Sequence, residues 1–268
     1  MNNITDQEFT RFQHFIYRSA GISLSASKRA LVRGRLATRL QHCRVASYTD
    51  YLRLLEDGEM PHEVQTAVDL LTTNETSFFR ESSHFDFLRT CAMAARRYAQ
   101  PFRVWSAACS SGEEPYSIAM VLADCMTKKS WEVVGSDISL RVLQRACAGH
   151  YAIERCHDIP PLYLRRFCLR GTDEQDGTLL IDRTLRTRVR FEQINLDSAL
   201  PKIGLFDVIF LRNVMIYFNN ETKRSVITRI LSLLNPGGYL CIGHSESLHD
   251  IPNTLQLVAP SVYRKSPR

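Results

Sequence analysis

The segment from Trp105 to Ser117, Trp-Ser-Ala-Ala-Cys-Ser-Ser-Gly-Glu-Glu-Pro-Tyr-Ser, constrains the fold of this chain more than any other. An apolar run over Phe102–Ala108 ends in small residues, and it is followed by a glycine, two carboxylates and a proline. This pattern predicts a strand, a tight turn and the start of a helix, with Pro115 in the first helical turn. Units of this kind bind nucleotides in doubly wound sheets.

The charge at this turn indicates which nucleotide it can accept. A pyrophosphate site uses bare N–H groups and the positive end of the helix dipole, and the carboxylates of Glu113 and Glu114 would repel a phosphate there. They suit a cationic nucleoside ligand, of which S-adenosylmethionine, with its sulfonium and ammonium groups, is the common one. The dinucleotide fingerprint Gly-x-Gly-x-x-Gly is also absent, which argues against a phosphate-binding oxidoreductase.

Composition indicates a globular protein with one large or two modest domains, since 44% of the 268 residues are hydrophobic and 23% are charged. We expect no signal peptide, because the first residues contain no basic segment followed by an apolar one. We also expect no membrane insertion, because no apolar run approaches the length of a bilayer span. The 8 cysteines form no Cys-x-x-Cys pair, which favours reduced thiols in a cytoplasmic protein. The 8 histidines show no metal-binding spacing, so we expect no metal site.

The distribution of apolar residues predicts three regions. Residues 1–72 carry four helical stripes and form a helical N-terminal domain, and residues 73–100 form a junction and a linker helix. Residues 101–268 alternate strands and helices, which predicts an α/β fold with a doubly wound, mostly parallel sheet. A less regular insertion at about 151–188 is expected to hold a short helix at Pro161–Cys168 and a strand.

Two further elements are predicted near the C-terminus of the chain. Glu221–Leu234 has the pattern of a helix, which Asn235-Pro236-Gly237-Gly238 should end. Leu255–Val258 and Ser261–Arg264 are expected to form a closing antiparallel pair of strands.

Residues 11–49 contain no Asp or Glu. They carry eight basic residues: Arg11, Arg18, Lys28, Arg29, Arg33, Arg35, Arg39 and Arg44. Such a region is expected to attract a polyanionic partner, either nucleic acid or an acidic protein surface. The alternative is a solvated helix face with no partner.

Polar residues follow four successive predicted strands, and the carboxyl ends of parallel strands are where ligands bind in such sheets. Glu113 and Glu114 follow the first strand and lie near the expected methionine end. Asp137 follows the second strand, at roughly the spacing of about 20 residues at which an acid binds ribose hydroxyls. The alternative role for Asp137 is that of a helix N-cap. Two further pairs complete the predicted cleft: Asn195 with Leu196, which could read the adenine edge, and Arg212 with Asn213.

Four motifs resemble the chemotaxis receptor methyltransferases of the CheR family. They are Thr-Asn-Glu-Thr-Ser-Phe-Phe-Arg (73–80), Ser-Gly-Glu-Glu-Pro-Tyr-Ser (111–117), Arg-Asn-Val-Met-Ile-Tyr-Phe (212–218) and Gly-His-Ser-Glu-Ser-Leu (243–248). The resemblance spans almost the whole chain. It implies transfer of methyl groups from S-adenosylmethionine to glutamate side chains on the cytoplasmic helices of bacterial chemoreceptors, with S-adenosylhomocysteine as the second product.

The resemblance also implies roles for individual residues. Arg80 and Tyr217 match the two residues nearest the transferring methyl group. The alternatives are that Arg80 forms a surface ion pair and that Tyr217 is a packed aromatic residue. Glu114, rather than Glu113, matches the acid that faces the methionine part. The remaining matches concern the cofactor: Asn74, Thr76 and Arg80 touch it, Asp137 binds the ribose, and Asn195, Leu196, Arg212 and Asn213 contact the adenosine side.

The insertion resembles the small β-subdomain that in some family members holds a peptide at the receptor's C-terminus. The basic helix resembles one thought to face the receptor's acidic helices. Glu75 is a departure, because many relatives carry a neutral residue there, and it could alter the local charge.

A glutamate acceptor, with a reference pKa of about 4.3, is ionised near neutrality and requires no general base. The alternatives are a nucleic-acid methyltransferase, for which the sequence lacks an Asn-Pro-Pro-Tyr motif, and a non-catalytic module that docks on a receptor. We expect no nucleic-acid partner and a monomer.

Overall fold

The computed structural model describes residues 3–58, 60–97, 100–127, 130–251 and 254–267. Four helices begin the chain: α1 (Asp6–Ala20), α2 (Arg29–His42), α3 (Tyr48–Glu56) and α4 (Pro61–Leu71). Local signals set their ends. Thr5 and Glu8 cap α1 reciprocally at its start, and Gly21, in the left-handed conformation, ends it. Pro61 occupies the first turn of α4, where its missing N–H group costs nothing.

A fifth helix, α5 (Ser83–Ala95), leads into a seven-stranded sheet. Its strands are β1 (Phe102–Ser106), β2 (Trp131–Asp137), β6 (Val189–Gln193), β7 (Phe206–Leu211), β8 (Leu234–Ile242), β9 (Leu255–Ala259) and β10 (Val262–Lys265), in the spatial order β6-β2-β1-β7-β8-β10-β9. The first five strands in that order pair in parallel, and β10 pairs antiparallel with both β8 and β9. The direction of winding therefore reverses between β1 and β7, where ligands bind in such sheets.

Three helices connect the parallel strands: α6 (Glu113–Cys125), α7 (Leu140–Ala148) and α10 (Asn220–Ser232). The insertion between α7 and β6 holds β3 (His150–Ala152), α8 (Pro161–Phe167), β4 (Cys168–Arg170), β5 (Thr178–Ile181) and α9 (Arg183–Arg186). Its three strands form a separate antiparallel sheet in the order β3-β5-β4. The predicted fold class is confirmed, including the helical N-terminal region and the small antiparallel insertion.

The two faces of the large sheet are covered by different parts of the chain. On one face, residues of α1–α4 such as Phe12 and Leu36 belong to the same buried apolar cluster as Trp105 and Ile209 of the sheet. On the other face, α5, α6 and the insertion form a second cluster around Phe210. The N-terminal helices are thus packed against the sheet through a continuous core, which brings them to the edge where β1 and β7 diverge.

Some predicted boundaries were wrong. α10 ends at Ser232, and Leu234 is instead the first residue of β8. The stretch Asn235–Gly238 lies within β8 as a bulge, because Leu234 pairs with Phe206 while Tyr239 already pairs with Val208. Proline and glycine are tolerated in a strand at such an irregularity, so a signal that usually ends a helix here marks a bulge.

Other differences concern short elements. Cys168 begins β4 rather than ending the preceding helix, and Asp137 is the last residue of β2 rather than a residue beyond it. β3, β4 and α9 were not predicted, because elements of three or four residues are too short to show a periodic pattern.

Candidate active site

The turn after β1 is tightly packed, as its small residues suggested. Gly112 begins α6 with φ +97°, and a Cβ atom there would lie 2.8 Å from the Tyr151 hydroxyl and 2.9 Å from Cβ of Ala146. Both the backbone conformation and the space therefore require glycine. The backbone N–H of Cys109 donates to the carbonyl of Ser136 at 2.8 Å, which ties the turn to β2.

A cavity of about 510 Å³ lies at the carboxyl ends of the parallel strands. This volume is within the usual range for small-molecule sites, about 300–1,000 Å³. All ten residues predicted from the sequence line this one cavity: Asn74, Thr76, Arg80, Glu114, Asp137, Asn195, Leu196, Arg212, Asn213 and Tyr217. They come from five separate segments, so their convergence is a property of the fold and not of their spacing in the chain.

Glu113 and Glu114 are adjacent at the start of α6, but their side chains have different surroundings. Glu114 lines the cavity, and its side chain accepts a hydrogen bond from the Ser106 hydroxyl at 2.7 Å. Glu113 is fully buried, accepts a hydrogen bond from Ser111 and pairs with Arg155 of the insertion. Burial raises the pKa of Glu113, against the opposing effects of its partners. Glu114 is therefore the residue of the two that can meet a ligand, and Glu113 joins the insertion to α6.

Arg212 holds two carboxylates beside the cavity. Its side chain is 2% exposed and lies 2.7 Å from Glu114 and 3.0 Å from Glu81, and it also donates to the backbone carbonyl of Arg80. The chain Glu114–Arg212–Glu81 carries two negative charges and one positive charge. Arg212 thus lies next to Glu114.

Asn213 joins the same set of contacts. Its backbone, at φ 56°, donates an N–H to Glu246 at 2.9 Å, and its side-chain amide donates to Glu81 at 3.4 Å. Asparagine tolerates this left-handed conformation better than most residues.

Asp137 is held rigidly at the end of β2. One carboxylate oxygen accepts from the N–H of Ser110 at 2.9 Å and the other from the N–H of Ser139 at 3.0 Å. Burial raises its pKa, while these two amides oppose the rise. Each carboxylate oxygen retains a free lone pair, so the side chain can still accept from two neighbouring hydroxyls of a ribose.

Asn195 and Leu196 form another part of the wall. The amide of Asn195 donates to the carbonyl of Ser19 at 2.8 Å and accepts from the N–H of Asp197 at 3.0 Å. It therefore also fixes the end of α1 against the sheet, and it retains one N–H for a ligand. Leu196 is buried and contributes an apolar surface.

Arg80 and Tyr217 lie close enough to influence each other. Burial raises the pKa of Tyr217, with the charge of Arg80 acting in the opposite direction. The phenol is therefore protonated at neutral pH and can donate a hydrogen bond. Arg80 donates to the backbone carbonyl of Glu75 at 3.2 Å, which closes the junction segment into a loop.

Asn74 and Thr76 lie on the same loop. The carbonyl of Asn74 accepts from the Ser110 hydroxyl at 2.9 Å, so the junction is attached directly to the turn after β1.

Sequence reasoning missed several residues of this cavity. The N-terminal region supplies a full part of the wall: Ala20, Ile22, Ser23, Leu24, Ser25, Lys28 and Leu31. The N–H of Ser23 donates to the carbonyl of Tyr217 at 2.8 Å, which brings this segment to the site. Ile216 also lines the cavity although its surface is 53% exposed. The only sequence signal was the position of Ile216 beside Tyr217.

The basic region differs from its expected form. Arg39 pairs with the buried Glu63, and Arg35 donates to the carbonyls of Leu70 and Thr72 at 3.0 and 2.7 Å. Arg29 pairs with Asp6, and it also bonds the carbonyl of Ile4. Much of the positive charge of α2 therefore stabilises the helical bundle, and less of it is available to a partner than its sequence suggested.

Two protein-family models match the chain. One, described as "CheR methyltransferase, SAM binding domain", covers residues 74–263, and the other, described as "CheR methyltransferase, all-alpha domain", covers residues 7–72. The chain belongs to the CheR methyltransferase family. Its residues 74–263 correspond to the family's S-adenosylmethionine-binding domain, so the predicted family, the methyltransferase activity and the cofactor are confirmed.

Curated CheR relatives match along nearly their whole length. A chemotaxis protein methyltransferase of Klebsiella aerogenes is 42% identical over 97% of this chain and 90% of its own. The corresponding protein of Escherichia coli is 41% identical over 98% and 92%, and chemotaxis protein methyltransferase 2 of Pseudomonas aeruginosa is 40% identical over 97% and 93%. A solved N-methyltransferase structure, NodS from Bradyrhizobium japonicum, covers 69% of this chain and 96% of its own at 14% identity and a TM-score of 0.39, which is too distant to bear on function.

The donor set of the cavity fits S-adenosylmethionine. Glu114 offers a carboxylate to an ammonium group, and Asp137 offers two fixed oxygens to a pair of hydroxyls. Glu81 and Glu114 are half-buried and both pair with Arg212, so this cluster carries a net negative charge, which favours a cationic ligand over a diphosphate next to Glu114. Among the described helices, none has the length and hydropathy needed to cross a membrane.

Proposed function

We propose that this protein is a glutamate O-methyltransferase that acts on the cytoplasmic helices of bacterial chemoreceptors. The observation that carries the proposal is the convergence of all ten predicted residues on one cavity in a chain of the CheR family. We further propose that it acts as a monomer in the cytoplasm, where those helices are located.

The cofactor supplies a methyl group activated by the positive charge on its sulfur. Glu114 is proposed to bind the ammonium of its methionine part, with Arg212 holding the carboxylate in place at 2.7 Å. Asp137 accepts hydrogen bonds from the ribose hydroxyls, and Leu196 packs against the base. Asn74 and Thr76 hold the junction loop against the cofactor. Arg212 acts mainly as a positioning residue, because its charge is already shared between two protein carboxylates.

The acceptor glutamate arrives ionised, so the residues near the methyl group have to orient it and exclude water. Arg80 is proposed to bind the acceptor carboxylate, because its side chain lines the cavity without a carboxylate partner among the described residues. Tyr217 holds its proton and donates a hydrogen bond near the reacting oxygen or the sulfur. Neither residue removes a proton in this scheme.

The exposed rim of the cavity suggests how a receptor helix is held. Lys28 and Ile216 both line the cavity and are exposed, so the rim offers one cation and one large apolar side chain. An acidic amphipathic helix fits this combination. Glu75, also exposed on the rim, adds a negative charge and should disfavour acceptors with carboxylates on that side.

The insertion is proposed to bind a peptide from the C-terminus of the receptor. β3 and β4 are the outer strands of its small sheet, so each has one edge open to pairing with an extended segment. Leu169, on β4, is 54% exposed and would be covered by such a peptide.

A transfer assay tests the proposed reaction. Labelled S-adenosylmethionine is offered with a receptor cytoplasmic fragment, with DNA or with RNA, and the modified residue is mapped by mass spectrometry. We expect base-labile label on receptor glutamates only. Label on nucleic acid would favour the alternative methyltransferase, and cofactor binding without any transfer would favour a docking module.

Variants assign the roles within the site. Arg80→Ala should nearly abolish transfer, and Tyr217→Phe should lower kcat by about 100-fold, the usual effect of removing one donor at a reacting centre. Arg53→Ala is the matched control, because Arg53 is an exposed arginine outside the cavity lining. Unchanged turnover in Arg80→Ala would refute its assignment, and Lys28→Glu should raise KM for the receptor fragment without changing cofactor affinity.

A further inference from the structure

Three potential metal ligands converge outside the cavity lining. Nδ1 of His84 lies 3.6 Å from Oε2 of Glu81, and Nε2 of His244 lies 3.9 Å from the same oxygen. One ligand atom from each of the three side chains lies within 4.8 Å of the other two. The two rings are arranged edge to face, with centroids 5.0 Å apart.

His84 is the unexplained member of this cluster. It is 1% exposed, and among the described residues neither of its ring nitrogens has a hydrogen-bond partner of full geometry, although the backbone of Pro260 lies close to the ring. A buried polar group without a partner costs on the order of 1–3 kcal/mol, so its presence calls for a compensating interaction.

The charge around the cluster permits a cation. Arg212 contributes one positive charge, but both Glu81 and Glu114 pair with it. Arg212, Glu81 and Glu114 therefore carry a net charge of about −1 together.

We propose that Glu81, His84 and His244 form a binding site for a divalent transition metal ion, with Zn²⁺ as the best fit. Two imidazoles and one carboxylate are a ligand set typical of zinc, with water in the fourth position. Ligand atoms around a tetrahedral zinc ion are separated by about 3.4 Å, from bond lengths of about 2.0–2.2 Å. The observed 3.6 and 3.9 Å separations are close to this value, and all three ligand atoms lie within 4.8 Å of one another, so zinc binding requires the exposed His244 side chain to move closer.

The site also has a route of entry. The side chain of His244 is 47% exposed, and it can rotate toward the ion while His84 and Glu81 remain fixed. The Ser83 hydroxyl lies 3.5 Å from Nε2 of His244. Local spacing could not predict this site, because His244 is far from Glu81 and His84 in the sequence. The proposal does not depend on the methyl-transfer reaction.

A binding measurement on the full chain tests the proposal. The protein is stripped with a chelator and titrated with ZnCl₂ against a chromophoric competitor. Every variant carries Cys147→Ser, which removes the exposed cysteine. We expect one zinc equivalent per chain. His244→Ala should weaken its affinity by at least about 100-fold, since even the loss of an outer-shell partner costs 10–100-fold.

His157→Ala is the matched control. His157 is also exposed and lies 3.3 Å from a carboxylate of Asp158, but it belongs to no three-ligand group among the described residues. This variant should bind zinc as the parent does. Circular dichroism checks that each variant is folded. Glu81→Gln is a second variant that removes one of the proposed zinc ligands.

X-ray absorption at the zinc edge identifies the donor atoms. A shell of nitrogen and oxygen with imidazole scattering would support the site. Sulfur in the shell, or equal zinc affinity in the parent and in His244→Ala, would overturn the proposal.

Discussion

Replacing Arg212 by methionine should destabilise the protein strongly. The guanidinium is 2% exposed and lies between carboxylates whose side chains are only 13% and 14% exposed. Its removal leaves Glu114 and Glu81 largely shielded from solvent and without a countercharge, and it also removes a donor to the carbonyl of Arg80. Breaking one buried pair costs about 3–5 kcal/mol. Methionine is unbranched and keeps the apolar part of the arginine side chain, so the loss reflects mainly the missing charge and hydrogen bonds of the guanidinium group.

Urea denaturation, followed by tryptophan fluorescence and circular dichroism, measures this effect. We expect Arg212→Met to lower the free energy of unfolding by about 3–5 kcal/mol and the Tm by on the order of 10 °C. Adding Glu81→Gln and Glu114→Gln to Arg212→Met should recover part of that loss. Arg53→Met is the control, because its pair with Asp50 is 67% and 42% exposed and should contribute less than about 1 kcal/mol. A loss below 1 kcal/mol in Arg212→Met would refute the argument.

Three further predictions concern the turn, the bundle and the ribose site. Gly112→Ala should lower the unfolding free energy by more than about 1 kcal/mol, because Gly112 has a φ of +97° and close neighbours. Gly34 lies within α2 with open space around it, so Gly34→Ala should raise the unfolding free energy by about 0.5–1 kcal/mol in the same urea experiment. Burial alone would raise the pKa of Glu63, but hydrogen bonds from Arg39 and Tyr51 lower this pKa below the ordinary 4.5. The ionised Glu63 therefore stabilises the folded protein above pH 4.5, and this contribution is lost as the pH falls further. Urea midpoints from pH 6 to pH 3 should therefore fall less in Glu63→Gln than in the parent, and parallel curves would contradict this. Asp137→Asn should weaken S-adenosylhomocysteine binding at least about 10-fold by calorimetry, because the amide loses one acceptor, and unchanged affinity would remove Asp137 from the ribose site.

The site was predictable because its signals are local. A strand that ends in small residues, a glycine and two acids identifies both a turn and the sign of its charge, and each later strand end repeats the pattern. The lining residues at the strand ends, from Glu114 to Asn213, therefore followed from the sequence pattern. Asn74, Thr76, Arg80 and Tyr217 came from the resemblance to the family, and the roles that it implies remain to be tested. The choice between Glu113 and Glu114 needed the structure, since neighbouring helical residues face different directions and only Glu114 faces the cavity.

What the sequence could not show depends on contacts between distant segments. The partners of Arg35 and Arg39 lie on α4 or just beyond it, so a region that looks like a basic surface is partly neutralised within the bundle. The pairing of Arg212 with Glu81 and the position of Ile22 beside Phe218 likewise depend on tertiary packing. The formal charge of a segment can be counted from its composition. Which of those charges form ion pairs depends on the fold.

A crystal structure with S-adenosylhomocysteine tests most directly how the cavity binds its cofactor. The ammonium of the product should lie within hydrogen-bond distance of Glu114, and both ribose hydroxyls should face Asp137. Product bound outside this cavity, or with its ribose at Glu114, would contradict the proposed site.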